Sequence, residues 1–304
     1  MQARIKAMEG QAITSARFYL WREYLELCKP RVVALMVFTS LVGMFLATPD
    51  FVPMEALVFG TIGIGFMAGA AAAINHLVDQ RIDGLMRRTM GRPLPTGRID
   101  PISGLIFVLA LGGIGLAILA MLVNQLTALL TLLSLVGYSG VYTLYLKRAT
   151  PQNIVIGGAA GAMPPVLGWT AVTGQIDPHA LLLFLIIFAW TPPHFWALAI
   201  HRRNEYARAG VPMLPVTHGV AFTRLQILLY TFILVVVSVL PFVTRMSGWL
   251  YMGGALLLNA GFLYHALALW LRDDPKLPMK TFGYSIIYLM ALFAFLLLDH
   301  YLLM

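Results

Sequence analysis

The chain has 304 residues, of which 60% are hydrophobic and 11% are charged, and its mean hydropathy is +0.81. Soluble domains carry about 25% charged residues, so this composition excludes a water-soluble globular domain and indicates a membrane protein. The formal net charge of +8 does not indicate nucleic acid, because the basic residues lie in short loops between apolar stretches. Basic residues in that position meet the lipid bilayer or anionic substrates.

The first 30 residues precede the first long apolar stretch. They mix aromatic and charged side chains, among them Trp21, Arg22, Glu23 and Tyr24, which is typical of a short helix lying in the membrane interface. They lack the continuous apolar run of a secretory signal. We therefore predict a cytoplasmic or interfacial segment over 1–30 and a transmembrane domain over 31–304.

Apolar stretches follow that are long enough to cross the hydrocarbon core, which takes about 20 residues. We predict nine spans, at 31–48, 54–78, 102–123, 126–146, 152–173, 179–200, 221–243, 248–271 and 282–303. Pro164, Pro165, Pro192 and Pro193 fall inside spans and should bend those helices and free carbonyl groups, which suits a lined cavity. The predicted fold class is all-α, a polytopic membrane protein.

The distribution of Lys and Arg predicts how the chain lies in the membrane. With the N-terminus inside, all but one of the 21 basic residues fall in inner segments, and only Arg245 falls outside. Because inner loops are enriched in basic residues, we expect an inner N-terminus, inner active-site loops and an outer C-terminus. The short N-terminus favours a bacterial inner membrane over a mitochondrial one.

Two inner loops repeat one pattern, in which an acid and arginine cluster is followed by a Gly-x-Pro turn. The first loop follows the second span and the other follows the sixth, at 201–220. Four spans lie between them, so both loops emerge on the same side. The repeat predicts a site between the two loops.

The first loop begins with a helix end that carries Asn75, Asp79 and Asp83. Their i, i+4, i+8 spacing places all three on one helix face, and three oxygen-bearing side chains in a row suit Mg²⁺, which completes its shell with phosphate oxygens and water. Guanidinium groups match phosphate oxygens in geometry and charge, and those nearby belong to Arg81, Arg87, Arg88 and Arg92. The set predicts a site for a magnesium-bound diphosphate.

A simpler interpretation of the first loop is an ion-paired, solvated helix end. Asp83 and Arg87 stand i, i+4, the spacing of such a pair. The first loop alone leaves both interpretations open. The second acid and arginine loop on the same side favours a functional site.

His194 lies near the inner end of the sixth span, between a Trp-Thr-Pro-Pro run and Phe195-Trp196. In that position it is a candidate to ligate a haem or stack against it. A lone histidine is more often a hydrogen-bonded packing residue, and that alternative stays open.

At these residues the sequence resembles a known family. Asn75-x-x-x-Asp79-x-x-x-Asp83, followed by Met86-x-Arg88-Thr89 and by RPLP at 92–95, resembles the first motif of UbiA-type intramembrane prenyltransferases. The TPPHFWAL stretch at 191–198, with AGVPMLP at 209–215, is more specific and resembles the branch of that family that farnesylates haem. The resemblance covers essentially the whole chain.

The resemblance implies nine helices around a central cavity, with farnesyl diphosphate as donor and haem b as acceptor substrate rather than permanent cofactor. It implies that Asn75, Asp79 and Asp83 hold Mg²⁺ and the diphosphate, and that the loop after the sixth span closes the site. The remaining candidates that we assign with it are Arg87, Arg88 and Arg92 at the diphosphate, His194 at the haem, and Arg203, Glu205 and Tyr206 in the second loop. Relatives tend to have an aspartate directly before the tyrosine, where Glu205 carries the carboxylate one methylene further out.

Two other functions are alternatives to haem farnesylation. A prenyltransferase of the same fold could act on an aromatic quinone precursor, although the His194 segment argues against that acceptor. A transporter of lipid or haem would need polar residues along a path across the membrane, whereas the charges here cluster on one side. For a haem-farnesylating enzyme, a downstream haem-modifying enzyme or a terminal oxidase is a possible partner.

Overall fold

The structure is a computed structural model that describes residues 21–302. Within that range all regular structure is helical and there is no strand, which confirms the predicted all-α class. The predicted interfacial segment up to residue 20 lies outside the described residues. The remainder of it forms a short helix, Trp21–Leu27.

Nine long helices build the bundle. They are α1 (Pro30–Leu46), α2 (Ala56–Asp83), α3 (Pro101–Leu122), α4 (Gln125–Ala149), α5 (Asn153–Thr173), α6 (Pro178–His201), α7 (Gly219–Val243), α8 (Trp249–Leu271) and α9 (Leu277–Leu302). Among the described residues, α2 to α9 are each long and apolar enough to cross a membrane, and α1 makes nine when it is joined to Trp21–Leu27, from which it is bent by 58°. Each predicted span therefore has a counterpart.

The helices follow one another around a closed ring. Sequential neighbours such as α2 and α3, α6 and α7, and α8 and α9 pack side by side, and α9 returns to contact α1. Helix α6 also packs against α5 and α9. This arrangement brings residues from distant parts of the chain to the axis of the bundle.

Two features differ from the sequence prediction. Helix α9 begins at Leu277 rather than at 282, because Pro278 stands in the first turn, where no amide proton is needed. Helix α5 is broken before Pro164, as expected, but α6 runs unbroken through Pro192 and Pro193. There the Thr191 hydroxyl donates to the carbonyl of Ile187 at 2.8 Å.

Helix α4 widens near its end. Over Gly137–Leu146 its turns adopt π-helical geometry, in which the backbone bonds run from i to i+5 and which is frequent at functional sites. The Thr143 hydroxyl donates to the carbonyl of Tyr138 at 2.9 Å. The wide segment ends directly before Lys147, whose side chain turns toward α2.

Apolar packing differs between the two ends of the bundle. We call the end that carries loops 84–100 and 202–218 the basic end. The opposite half contains two apolar cores, with Leu183, Phe262 and Phe293 in one and Ile64 and Leu119 in the other. We call these two cores the far cores.

Two further cores lie at the basic end. One includes Trp196 and Tyr206, and the other includes Leu27, Ala73 and Leu94. The buried polar residues of α2 stand on the helix that borders both.

Helices α1 and α5 cross in very close contact. A Cβ atom at Gly43 would lie 2.1 Å from the carbonyl oxygen of Pro165, and one at Gly168 would lie 1.9 Å from that of Ser40. Only glycine permits this separation, and small residues serve the same purpose in other membrane helix pairs.

Candidate active site

The polar face of α2 forms the floor of the site. Asn75, Asp79 and Asp83 are all buried, with 5%, 1% and 4% of their surface exposed. The Asn75 amide donates to Asp79 Oδ2 at 2.7 Å and approaches the Thr143 hydroxyl of α4 at 3.4 Å. The side chains at 75 and 79 therefore act together, as their spacing predicts.

Two lysines from other segments reach this face. The Lys29 ammonium donates to Asn75 Oδ1, and the Lys147 ammonium forms an ion pair with Asp79 Oδ2. Sequence analysis used both lysines only for orientation and missed their place in the site. No motif in the neighbouring sequence identifies them, because the two contacts join residues that are separated by 46 and by 68 positions in the chain.

Lys29 is held in an unusual environment. Its φ of 50° lies in the left-handed region, a strained conformation for a residue with a side chain and one that clusters at functional sites. Burial lowers the pKa of Lys29 to about 7, and the charges of Arg92 and Lys147 act in the same direction. Positive charge is therefore crowded here, which favours an anionic ligand.

Asp83 pairs with a different arginine from the one that its sequence spacing suggested. Arg92 Nη1 lies 2.6 Å from Asp83 Oδ2, and the side chain of Arg92 is mostly buried. Arg87 is exposed and makes no hydrogen bond or ion pair within residues 21–302. The i, i+4 pair is thus not formed, and the loop folds back over the end of α2 instead.

The two basic loops meet. Met86 of the first loop packs in one core with Trp196, Tyr206 and Val211. Arg88 is exposed, yet it interacts electrostatically with Tyr206 of the second loop as well as with its own neighbours. The prediction that both loops lie at one end of the bundle is confirmed.

The second loop contributes a carboxylate and a phenol. In the short helix Arg203–Arg208, Glu205 Oε1 accepts from Arg202 at 2.8 Å, and its Oε2 is buried without a hydrogen-bond partner among the described residues. Tyr206 is buried, and burial raises the pKa of its phenol. Arg203, the arginine that the sequence analysis listed as a candidate, is exposed, whereas its neighbour Arg202 is half-buried and pairs with Glu205.

The oxygens of the site suit a hard cation that is shared with phosphate. Within residues 21–302 no group of three or more His, Cys, Asp or Glu side chains forms a complete metal site. Asp79 Oδ1 and Glu205 Oε2 are nevertheless buried oxygens without a partner in the described chain, and such atoms normally have one. A cation bound by few protein oxygens and completed by diphosphate fits this donor set.

His194 is enclosed by aromatic rings. Its ring stacks on Trp190 with centroids 4.2 Å apart and on Phe282 at 4.5 Å. The Ser285 hydroxyl donates to the carbonyl of Phe282 at 2.7 Å and lies 2.7 Å from His194 Nδ1. In the arrangement that satisfies both contacts, Nδ1–H of His194 donates to the Ser285 hydroxyl, which leaves Nε2 as the nitrogen with a free lone pair.

Comparisons with known proteins agree with this geometry. A family model described as "UbiA prenyltransferase family" matches residues 36–297. The protein named protoheme IX farnesyltransferase from Teredinibacter turnerae is 63% identical over 292 residues, which is 96% of this chain and 93% of that one. Its namesake from Marinobacter nauticus is 62% identical and covers 98% of both chains.

Solved structures share the fold at low sequence identity. A digeranylgeranylglyceryl phosphate synthase superposes with a TM-score of 0.78 at 17% identity, over 92% of this chain and 98% of that one. A UbiA homologue from Archaeoglobus fulgidus bound to GPP and Mg²⁺ superposes with a TM-score of 0.60 at 20% identity, over 90% of this chain and 99% of that one.

Proposed function

The chain belongs to the UbiA prenyltransferase family, and from that premise we propose that it transfers the farnesyl group of farnesyl diphosphate to a vinyl group of haem b, giving haem O. Its high identity over nearly full length to proteins named protoheme IX farnesyltransferase supports this donor and this acceptor. The bilayer is the natural solvent for both the prenyl chain and the porphyrin, so an enzyme joining them works within the membrane.

The observation that carries the proposal is the cationic cluster around the buried face of α2. The cations belong to Lys29, Lys147 and Arg92, with Arg88 at the edge. Two of the cations already pair with Asp79 and Asp83, so the cluster keeps positive charge in excess. That excess fits the diphosphate of the prenyl donor, whose negative charge grows as the allylic C–O bond breaks.

We propose that Mg²⁺ binds with the diphosphate at Asn75, Asp79 and Asp83. When bound, the ion neutralises charge on the diphosphate and so eases its departure. The unpartnered oxygen of Asp79 supports this assignment. Glu205 is the candidate for a second contact from the other loop, because its Oε2 is also unpartnered.

We propose that the transfer itself requires little from the protein beyond holding the two substrates in position. The bond between farnesyl C1 and the diphosphate oxygen breaks, and C1 joins the terminal carbon of the vinyl group. Water then adds to the remaining vinyl carbon and loses a proton, which leaves a hydroxyl group on the product. His194 is the candidate for holding the haem, since its Nε2 keeps a lone pair that can bind iron.

We further propose that the protein lies in a bacterial inner membrane with its basic end in the cytoplasm. The concentration of Lys and Arg in the predicted inner segments supports this orientation, because cytoplasmic loops are enriched in basic residues. Released diphosphate is then water-soluble on the cytoplasmic side, whereas haem O remains in the bilayer. A downstream haem-modifying enzyme or a terminal oxidase is the expected recipient of haem O.

The test is haem extraction and mass analysis from cells that lack haem O synthesis and express either the wild type or Asp79→Ala. We expect haem O with the wild type and none with the variant when both are inserted in the membrane. Haem O from both proteins would support the proposed reaction but show that Asp79 is not essential for it. No haem O from inserted wild type would contradict the acceptor.

The competing acceptor is an aromatic quinone precursor, and the same cells supplied with that precursor test it. A transporter would require a continuous polar path through the bundle, whereas the two apolar far cores lie in the opposite half. That packing favours an enzyme with a site open to one side.

A further inference from the structure

One buried histidine in the site makes no side-chain hydrogen bond to any residue that the structure describes. His76 follows Asn75 on α2, and only 2% of its surface is exposed. Within residues 21–302, neither Nδ1 nor Nε2 makes a hydrogen bond, although both atoms are buried. Buried polar side-chain atoms in folded proteins nearly always have a partner, so an imidazole with two unmet positions indicates a missing group.

The neighbours of His76 limit what that group can be. The nearby positive charges come from three other segments of the chain, and they belong to Lys29, Arg92, Arg88 and Lys147. Whichever of its nitrogens carries the proton, the imidazole ring offers an N–H donor to an anion that these cations attract. The adjacent amide of Asn75 is already engaged by Lys29 and Asp79, so it cannot serve as the partner.

We infer that His76 binds the prenyl donor directly, with its N–H donating to an oxygen of the diphosphate. The inference rests on the proposed function, because a diphosphate is the anion that the surrounding cations suit. The ring N–H complements the surrounding cations, since it adds a directed hydrogen bond from a side chain that is fixed by burial. Such a bond strengthens as the leaving oxygen gains negative charge.

A purely structural histidine and a substrate-binding one respond differently to an apolar replacement. His76→Phe keeps a ring of similar shape and removes both unmet polar atoms. If the ring serves only to bind substrate, the unliganded variant should melt at the same temperature as the wild type or higher. If the ring supports the fold, the variant should melt lower.

The experiment compares purified wild type, His76→Phe, His76→Gln and His76→Asn in detergent, with farnesyl thiodiphosphate and Mg²⁺ as the probe. The sulfur analogue binds without transferring its prenyl group. We expect His76→Phe to bind the probe about tenfold more weakly or worse, the size of a lost hydrogen bond to a charged group. The amide nitrogen of Gln lies near the place of Nε2 and that of Asn near Nδ1, so one of the two should restore binding and identify the donor nitrogen.

The control is His179→Phe, a half-exposed histidine at the opposite end of the bundle, which should leave probe binding unchanged. Unchanged binding by His76→Phe would overturn the inference. A lower melting temperature of unliganded His76→Phe, with no rescue by either amide, would overturn it in favour of a structural role. Failure of the wild type itself to bind the probe would instead overturn the proposed function, so the two failures can be told apart.

Discussion

Asp79 and Lys147 form an ion pair that is almost entirely buried, with 2% and 15% of their side-chain surface exposed. Removing one partner of a buried pair leaves the other charge without compensation, whereas replacing both can be nearly neutral. Its two members can be changed singly or together, so the effect of the pair on stability can be measured separately from its effect on catalysis.

We predict that Lys147→Met lowers the free energy of unfolding by about 3 kcal/mol. The double variant Asp79→Asn with Lys147→Met should recover most of that loss, since no unpaired charge remains. Thermal melting in detergent measures both, and haem extraction should find no haem O from the double variant. A double variant that melts as low as the single one would show that the two charges are not coupled.

Cys28 provides a second test at the scale of one residue. Burial raises the pKa of its thiol, and only the thiolate reacts with alkylating reagents. We predict slow labelling by N-ethylmaleimide at neutral pH and faster labelling as the pH rises. The comparison is Arg245→Cys in a Cys28→Ser background, which places a thiol at an exposed position. Equal rates for the two thiols at neutral pH would contradict the prediction.

At the scale of helices, the crossing of α1 and α5 depends on two glycines whose added Cβ atoms would strike backbone. Backbone cannot move aside as a flexible side chain can, so the cost should exceed that of ordinary overpacking. We predict that Gly168→Ala destabilises the protein by about 3 kcal/mol or more and reduces the yield of monodisperse protein from detergent.

The matched control is Gly113→Ala in α3, where an added Cβ atom meets nothing within 4 Å. Alanine is the better helix former by roughly 0.5–1 kcal/mol, so this variant should melt at the same temperature or slightly higher. A Gly168→Ala protein that is as stable as Gly113→Ala would mean that the crossing is looser than the structure indicates.

Helix positions and the polar face of α2 could be predicted from the sequence, because both depend on periodicity. Apolar length identified the spans, and i, i+4 spacing identified Asn75, Asp79 and Asp83. The roles of Lys29 and Lys147 could not be predicted, since they arise from contacts between distant segments. Nor could the sequence show that Arg202 is the arginine paired with Glu205, because where a helix ends decides which of two neighbouring side chains reaches it.

At the scale of the whole molecule, the arrangement of the basic residues predicts a fixed orientation in the membrane. Arg208 lies in the second basic loop and Arg245 between α7 and α8, and both are exposed. In a Cys28→Ser background, a membrane-impermeant maleimide added to intact cells with a permeable outer envelope should label Arg245→Cys and not Arg208→Cys. Disruption of the membrane should then expose Arg208→Cys. The reverse pattern in intact cells would contradict the predicted orientation.

The far cores have a consequence for the cell's energy supply. A pocket of charged groups that extended through the bundle would offer protons a conducting route along the electrochemical gradient that respiration maintains. Because the far cores place aliphatic and aromatic side chains in the half opposite the basic loops, we expect that half to resist the passage of ions while charged groups occupy the basic end. We therefore expect the protein to bind and release a multiply charged leaving group at its basic end without creating a proton leak across the membrane.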